Sequence, residues 1–211
     1  MEKFLGLFFI LLSFFQPVCG KVNISPQKAL DQLIEGNKRF TGNDLRNPLS
    51  YCVVNEQLIS QQNPFAVILC CSDSRASPEL IFNQGLGDLF LVRVAGNVLG
   101  PLGLESINYG IQVLNAPLIV VLGHQNCGAV KTVMQGKGRE LIPNTFMHIA
   151  PDVENAKTLT EGVKSNVREI VNKLDIYFRD TISKGKVKVV GAYYSLENGQ
   201  VDFFDEKPLK Q

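Results

Sequence analysis

The sequence predicts an α/β domain: a mainly parallel sheet with a four-stranded core, an antiparallel edge strand, flanking helices and a helical arm at the N-terminus. Three observations carry this expectation. Short apolar runs at residues 65–69, 89–94, 117–122 and 187–194 have the length of strands, and most of them hardly alternate, as strands buried on both faces should. Helical patterns separate them, and strands alternating with helices pack as a parallel sheet covered on both sides. The chain is 211 residues long and 45% hydrophobic, enough to bury a real core in one domain.

The elements follow in order. Ser25-Pro26 reads as an N-cap with proline at the first helical position, and Ala29, Leu30, Leu33, Ile34 and Phe40 mark one face of the arm helix. Helical patterns occupy residues 78–82 and 102–114, start again at 127–134, and continue more loosely over 143–157. Val163, Val167, Ile170, Val171, Leu174 and Phe178 define a longer helix that stops near Gly185. A final hairpin over residues 189–204, turning at Glu197-Asn198-Gly199, supplies the antiparallel edge.

Residues 1–20 stand apart. Lys3 gives a short positive start, residues 4–15 an apolar stretch, and Val18-Cys19-Gly20 a small-residue exit. This is the layout of a secretory signal peptide, with an uncleaved membrane anchor as the alternative. The domain reading is therefore 1–20 signal peptide and 21–211 one α/β domain, exported to a periplasm or secreted. Lipid attachment at Cys19 is a further option. Cleavage leaves Cys52, Cys70, Cys71 and Cys127, too few in a chain this long for a disulfide scaffold. The 21 basic and 20 acidic residues give a net charge of +1, so no long-range field gathers nucleic acid and function must sit in a local site.

In an open parallel sheet, ligands gather at the carboxyl ends of the strands. Two strands here run into metal-competent residues. One enters Cys70-Cys71-Ser72-Asp73-Ser74-Arg75, the other Gly123-His124-Gln125-Asn126-Cys127-Gly128. Cys71, His124 and Cys127 then converge as the two-thiolate, one-imidazole set that zinc uses where a fourth position stays open. Asp73 either completes that tetrahedron or stands behind it, and Arg75 can grip it through a forked ion pair. His148 reads as a surface histidine on a helix, with a proton shuttle as the alternative. Cys52 and Cys70 have no evident partner role.

The runs C-S-D-S-R at 71–75, G-L-G-D-L-F-L-V-R-V-A-G-N at 85–97 and G-H-Q-N-C-G-A at 123–129 resemble the β-class carbonic anhydrases, as do G-N-K-R-F at 36–40 and G-A-Y-Y at 191–194. The resemblance covers about residues 25–204. It implies one zinc per chain on Cys71, His124 and Cys127, at a tight homodimer interface wrapped by the N-terminal arm; pairing of dimers is a further option. The implied reaction is reversible hydration of carbon dioxide to bicarbonate and a proton by zinc-bound hydroxide. Asp73 and Arg75 match the family's dyad: in an open form Asp73 accepts a hydrogen bond from the fourth ligand, and in a closed form it binds zinc itself. Gln84 and Tyr109 resemble residues lining the substrate cleft. Relatives regulated by bicarbonate carry a tryptophan where Ile68 stands, and this chain has none. Carbonyl sulfide or carbon disulfide as substrate, and a non-catalytic zinc- or bicarbonate-binding protein, are the alternative functions.

Overall fold

The computed structural model describes residues 24–44 and 56–204, with the side chains of 56 and 57 left aside. The proposed signal peptide, Cys19 and Cys52 lie outside the described residues. Four strands run parallel: β1 (Ala66–Cys70), β2 (Leu89–Arg93), β3 (Leu118–His124) and β4 (Lys188–Tyr194). The fifth, β5 (Val201–Phe204), pairs antiparallel with β4, and the order across the sheet is β2-β1-β3-β4-β5. The expected core and its antiparallel edge are both present.

The strands without alternation are the central ones. Every residue of β1, β3 and β4 is buried, because helices cover both faces. On one face α1 (Pro26–Thr41) and α3 (Pro78–Ile81) enclose Ile68, Leu118, Val120 and Val190. On the other, α4 (Pro101–Gln112) and α8 (Leu159–Tyr177) enclose Val67, Leu69, Ile119 and Val121. Short α2 (Glu56–Ser60) precedes β1, and α9 (Arg179–Ser183) follows α8. Between β3 and α8 lie α5 (Gly128–Met134), α6 (Gly138–Leu141) and α7 (Pro143–Val153).

Several boundaries differ from the sequence reading, among them the end of the long helix, which stops at Tyr177 with a separate short helix at Arg179–Ser183 instead of running on to near Gly185. β3 extends two residues further, to His124, because Gly123 and His124 continue the parallel ladder opposite Tyr193 and Tyr194 of β4. The helix over 143–157 stops at Val153. α8 begins at Leu159, where Thr158 and Glu161 form a reciprocal capping box. α1 is a full helix capped by Ser25, and it lies on the chain's own sheet, with Ala29, Leu30 and Leu33 fully buried there.

The G-N-K-R-F run explains how α1 is held. Asn37 donates from Nδ2 to the carbonyls of Ile81 and Gly199 and accepts at Oδ1 from the Val201 N–H, tying α1 to α3 and to the β4–β5 hairpin. Gly36 meets the Phe82 main chain so closely that a Cβ would be driven into the Phe82 carbonyl oxygen. Backbone cannot yield there as a flexible side chain can. Gly36→Ala should therefore lift α1 and cost about 3 kcal/mol or more, read as a lowered midpoint in thermal or urea unfolding. An unchanged midpoint would mean α1 is not seated as described.

Candidate metal centre

β1 and β3 are neighbours, and both deliver their carboxyl ends to the same edge of the sheet. Cys71 is the first residue after β1, and His124 is the last of β3. A tight turn follows through Asn126, in the left-handed region at φ 54°, and sets Cys127 at the N-cap of α5. Gln125 anchors this turn: its N–H donates to the Tyr194 carbonyl, and its side-chain oxygen accepts from the Glu197 N–H. The two cysteine sulfurs and a His124 ring nitrogen then lie within 4.8 Å of one another, and all three residues are buried.

The donor set suits a metal cation. His124 Nδ1 lies 2.9 Å from the Gln125 carbonyl, which can only accept, so Nδ1 carries the proton and Nε2 presents its lone pair. That Nε2 is buried with no hydrogen-bond partner. A bare nitrogen lone pair beside two buried sulfurs is costly unless something electron-poor sits between them. The sulfurs themselves are coupled. A hydrogen bond from Cys127 lowers the Cys71 thiol against the pull of burial, with help from the Gly96 N–H. The Cys71 sulfur and burial push Cys127 up. One proton held between two sulfurs is the arrangement a divalent thiophilic ion displaces.

Asp73 and Arg75 form the expected fork. Arg75 Nε reaches Asp73 Oδ1 at 2.9 Å and Nη2 reaches Oδ2 at 2.8 Å, while the Arg75 N–H also donates to Oδ1 at 2.9 Å. The guanidinium holds the carboxyl well below its ordinary 3.8, outweighing partial burial, so Asp73 is ionised at neutral pH. Asp73 Oδ2 stands 3.9 Å from His124 Nε2, at the rim of the cluster and outside the group of three.

Gln84 and Tyr109 are not brought to the cluster within the chain. Gln84 Nε2 donates to the carbonyl of Phe82 at 2.8 Å, under α1. Tyr109 is exposed on α4, its ring centroid 6.1 Å from that of Phe90. Ile68 is fully buried in β1, and Cys70 is a core residue whose thiol burial pushes up to about 12. His148 is half-buried on α7.

Two supports escaped the sequence reading. Arg93, at the end of β2, donates to the carbonyls of Cys71, Asp73 and Ala76 and so clamps the loop that carries the dyad. Asn166 donates to the Gly96 carbonyl, and the Gly96 N–H lies 3.3 Å from Cys71 Sγ. Asn166 had a visible signal: it sits between Val163, Val167 and Ile170 on the apolar face of its helix, where a polar residue needs a partner.

A parallel α/β sheet that gathers two thiols, an imidazole and an arginine-held carboxylate at its strand ends defines a metalloenzyme-type scaffold. Residues 66–201 match the carbonic anhydrase family. The chain is 36% identical over 191 residues to carbonic anhydrase 2 of Mycobacterium tuberculosis, covering 84% of this chain and 92% of that protein. It is 34% identical over 195 residues to a carbonic anhydrase of Mycolicibacterium smegmatis, covering 85% and 94%. Among solved structures, the β-carbonic anhydrase CcaA superposes with a TM-score of 0.64 at 26% identity, covering 84% of this chain and 88% of that one. The chain belongs to the β-carbonic anhydrase family of enzymes.

Proposed function

We propose that this protein catalyses the reversible hydration of carbon dioxide to bicarbonate and a proton, with one zinc ion per chain held by Cys71, His124 and Cys127. The observation that carries the reading is the buried Cys-His-Cys group with its unpartnered His124 Nε2, beside an ionised Asp73. Zinc, when bound there, supplies the Lewis acidity that makes water a competent nucleophile near neutral pH.

The chain's own residues do the rest. Asp73 accepts a proton-bearing donor at the rim of the site and orients it towards the incoming carbon. Arg75 occupies both carboxylate oxygens, keeps Asp73 charged and turns it away from ligation. Because those oxygens are engaged, no group among the described residues closes the fourth position, which favours a catalytic role over a structural one. Arg93 keeps the Cys71–Asp73 main chain in place through turnover.

Gln84 and Tyr109 contribute to the substrate cleft in this reading through a homodimer. Support comes from the open edge of the sheet: β2 leaves Leu89, Phe90 and Leu91 half-buried, and Leu102 and Tyr109 on adjacent α4 are exposed. A second copy would cover them.

The test is a carbon dioxide hydration assay on purified protein before and after chelation. Activity should vanish with the metal and return at one equivalent of zinc. A protein holding zinc stoichiometrically yet inert towards carbon dioxide would sink the reading, and carbonyl sulfide and carbon disulfide assayed in parallel test the alternative substrates. Export belongs to the same proposal: N-terminal sequencing of the mature protein should find a start at or near Lys21, whereas an intact Met1 would rule out cleavage.

A further inference from the structure

Resting on the zinc-site reading, the geometry points to Asn166 as a positioning residue that sets how strongly Cys71 donates to the metal, by holding the Gly96 main-chain N–H on its sulfur. Asn166 is 1% exposed, on the face of α8 otherwise occupied by Gly162, Val163, Val167, Ile170 and Val171. Its Nδ2 donates to the Gly96 carbonyl at 3.0 Å, a link between residues 70 apart in sequence.

Gly96 needs such an anchor. It sits in the left-handed region at φ 68°, ψ 19°, and a Cβ there would lie 2.6 Å from Ile149 Cδ1. Glycine is therefore required, and glycine is the residue whose flanking peptide planes turn most easily. Asn166 holds the plane on one side. On the other, the N–H points at Cys71 Sγ, 3.3 Å away. The turn is closed from Asn97 N–H to the Val94 carbonyl at 2.8 Å.

An N–H directed at a thiolate draws charge from the sulfur. Two thiolates leave a zinc ion less electrophilic than imidazoles would, so a donor on one sulfur restores acidity to the centre. At Cys71 the Gly96 N–H, 3.3 Å from the sulfur, supplies such a donor beside the Asp73 N–H.

The test uses cobalt(II) in place of zinc in the full chain and reads the thiolate-to-cobalt charge-transfer absorption. Asn166→Leu removes the amide donor at similar volume, and Asn166→Ser, too short to reach Gly96, serves should the leucine variant not fold. Either variant should bind one cobalt per chain, keep its tetrahedral ligand-field bands and move the charge-transfer band to longer wavelength. Zinc-loaded turnover should fall about tenfold. Val171→Ala, five residues further along α8 and also buried, should lower the unfolding midpoint without moving the band. A charge-transfer band at the parent's wavelength in the Asn166 variants, or an equal shift in Val171→Ala, overturns the inference. A parent protein that takes up no cobalt at all overturns the metal site itself, and is told apart by that result.

Discussion

Cys127→Ala is expected to lose zinc and turnover together. The sulfur is one of three buried donors that the cluster holds among the described residues, and the remaining pair, Cys71 and His124, would grip a divalent ion from one side only. The loss of affinity should exceed the about 10- to 100-fold typical of removing a partner behind a ligand. Cys127 is 1% exposed and caps α5 without a side-chain hydrogen bond, so alanine leaves the helix and its packing in place. Circular dichroism should accordingly match the parent. Metal content after dialysis and carbon dioxide hydration are the two readouts. Full zinc with full turnover in this variant would remove Cys127 from the ligand set.

Arg75→Ala should behave differently, with metal retained and activity lost. The Arg75 side chain is 53% exposed, so its loss removes little packing. Its removal frees Asp73 Oδ2, which already stands 3.9 Å from His124 Nε2, and leaves only the main-chain N–H of residue 75 on Oδ1. A carboxylate so close to a cation, no longer held by a guanidinium, should become its fourth ligand. Turnover should drop by about 10- to 100-fold while zinc stays at one per chain. Asp73→Asn should also lose activity, but an amide binds zinc weakly, so the position stays open to solvent. X-ray absorption separates the two: an added protein oxygen in the arginine variant, exchangeable solvent in the asparagine variant. Parent-like turnover in both would reduce the pair to an exposed ion pair of little consequence.

The contrast between these variants rests on residues that are adjacent in sequence, which is why the dyad was legible there. Asp73 lies two positions beyond Cys71 and Arg75 two beyond that, and at that spacing a loop can close the fork on its own backbone, as the Arg75 N–H does on Asp73 Oδ1. His124 and Cys127 are equally local. Their meeting with Cys71 could be inferred because parallel strands point their carboxyl ends the same way, and β1 and β3 proved to be neighbours. Gln84 and Tyr109 were named only through family likeness. Within the chain, one bonds the main chain under α1 and the other faces outward from α4.

By itself, then, the sequence determined the strand and helix alternation, the donor types at two strand ends and the local fork that keeps a carboxylate ionised. These depend on periodicity and on contacts within a few residues, where chain connectivity limits the choices. The tertiary structure decided what holds the donors still. Asn37 joins α1 to α3 and to a hairpin more than 160 residues away, as in its 162-residue link to Gly199. Arg93 reaches back across the β1–β2 pair to clamp the loop after Cys71. Asn166 crosses from α8 to Gly96 and thereby places a donor on the Cys71 sulfur. Each is a polar side chain that bonds a main-chain group distant in sequence. Burial demands a partner for such a side chain, but only the packed sheet and helices settle which one it finds.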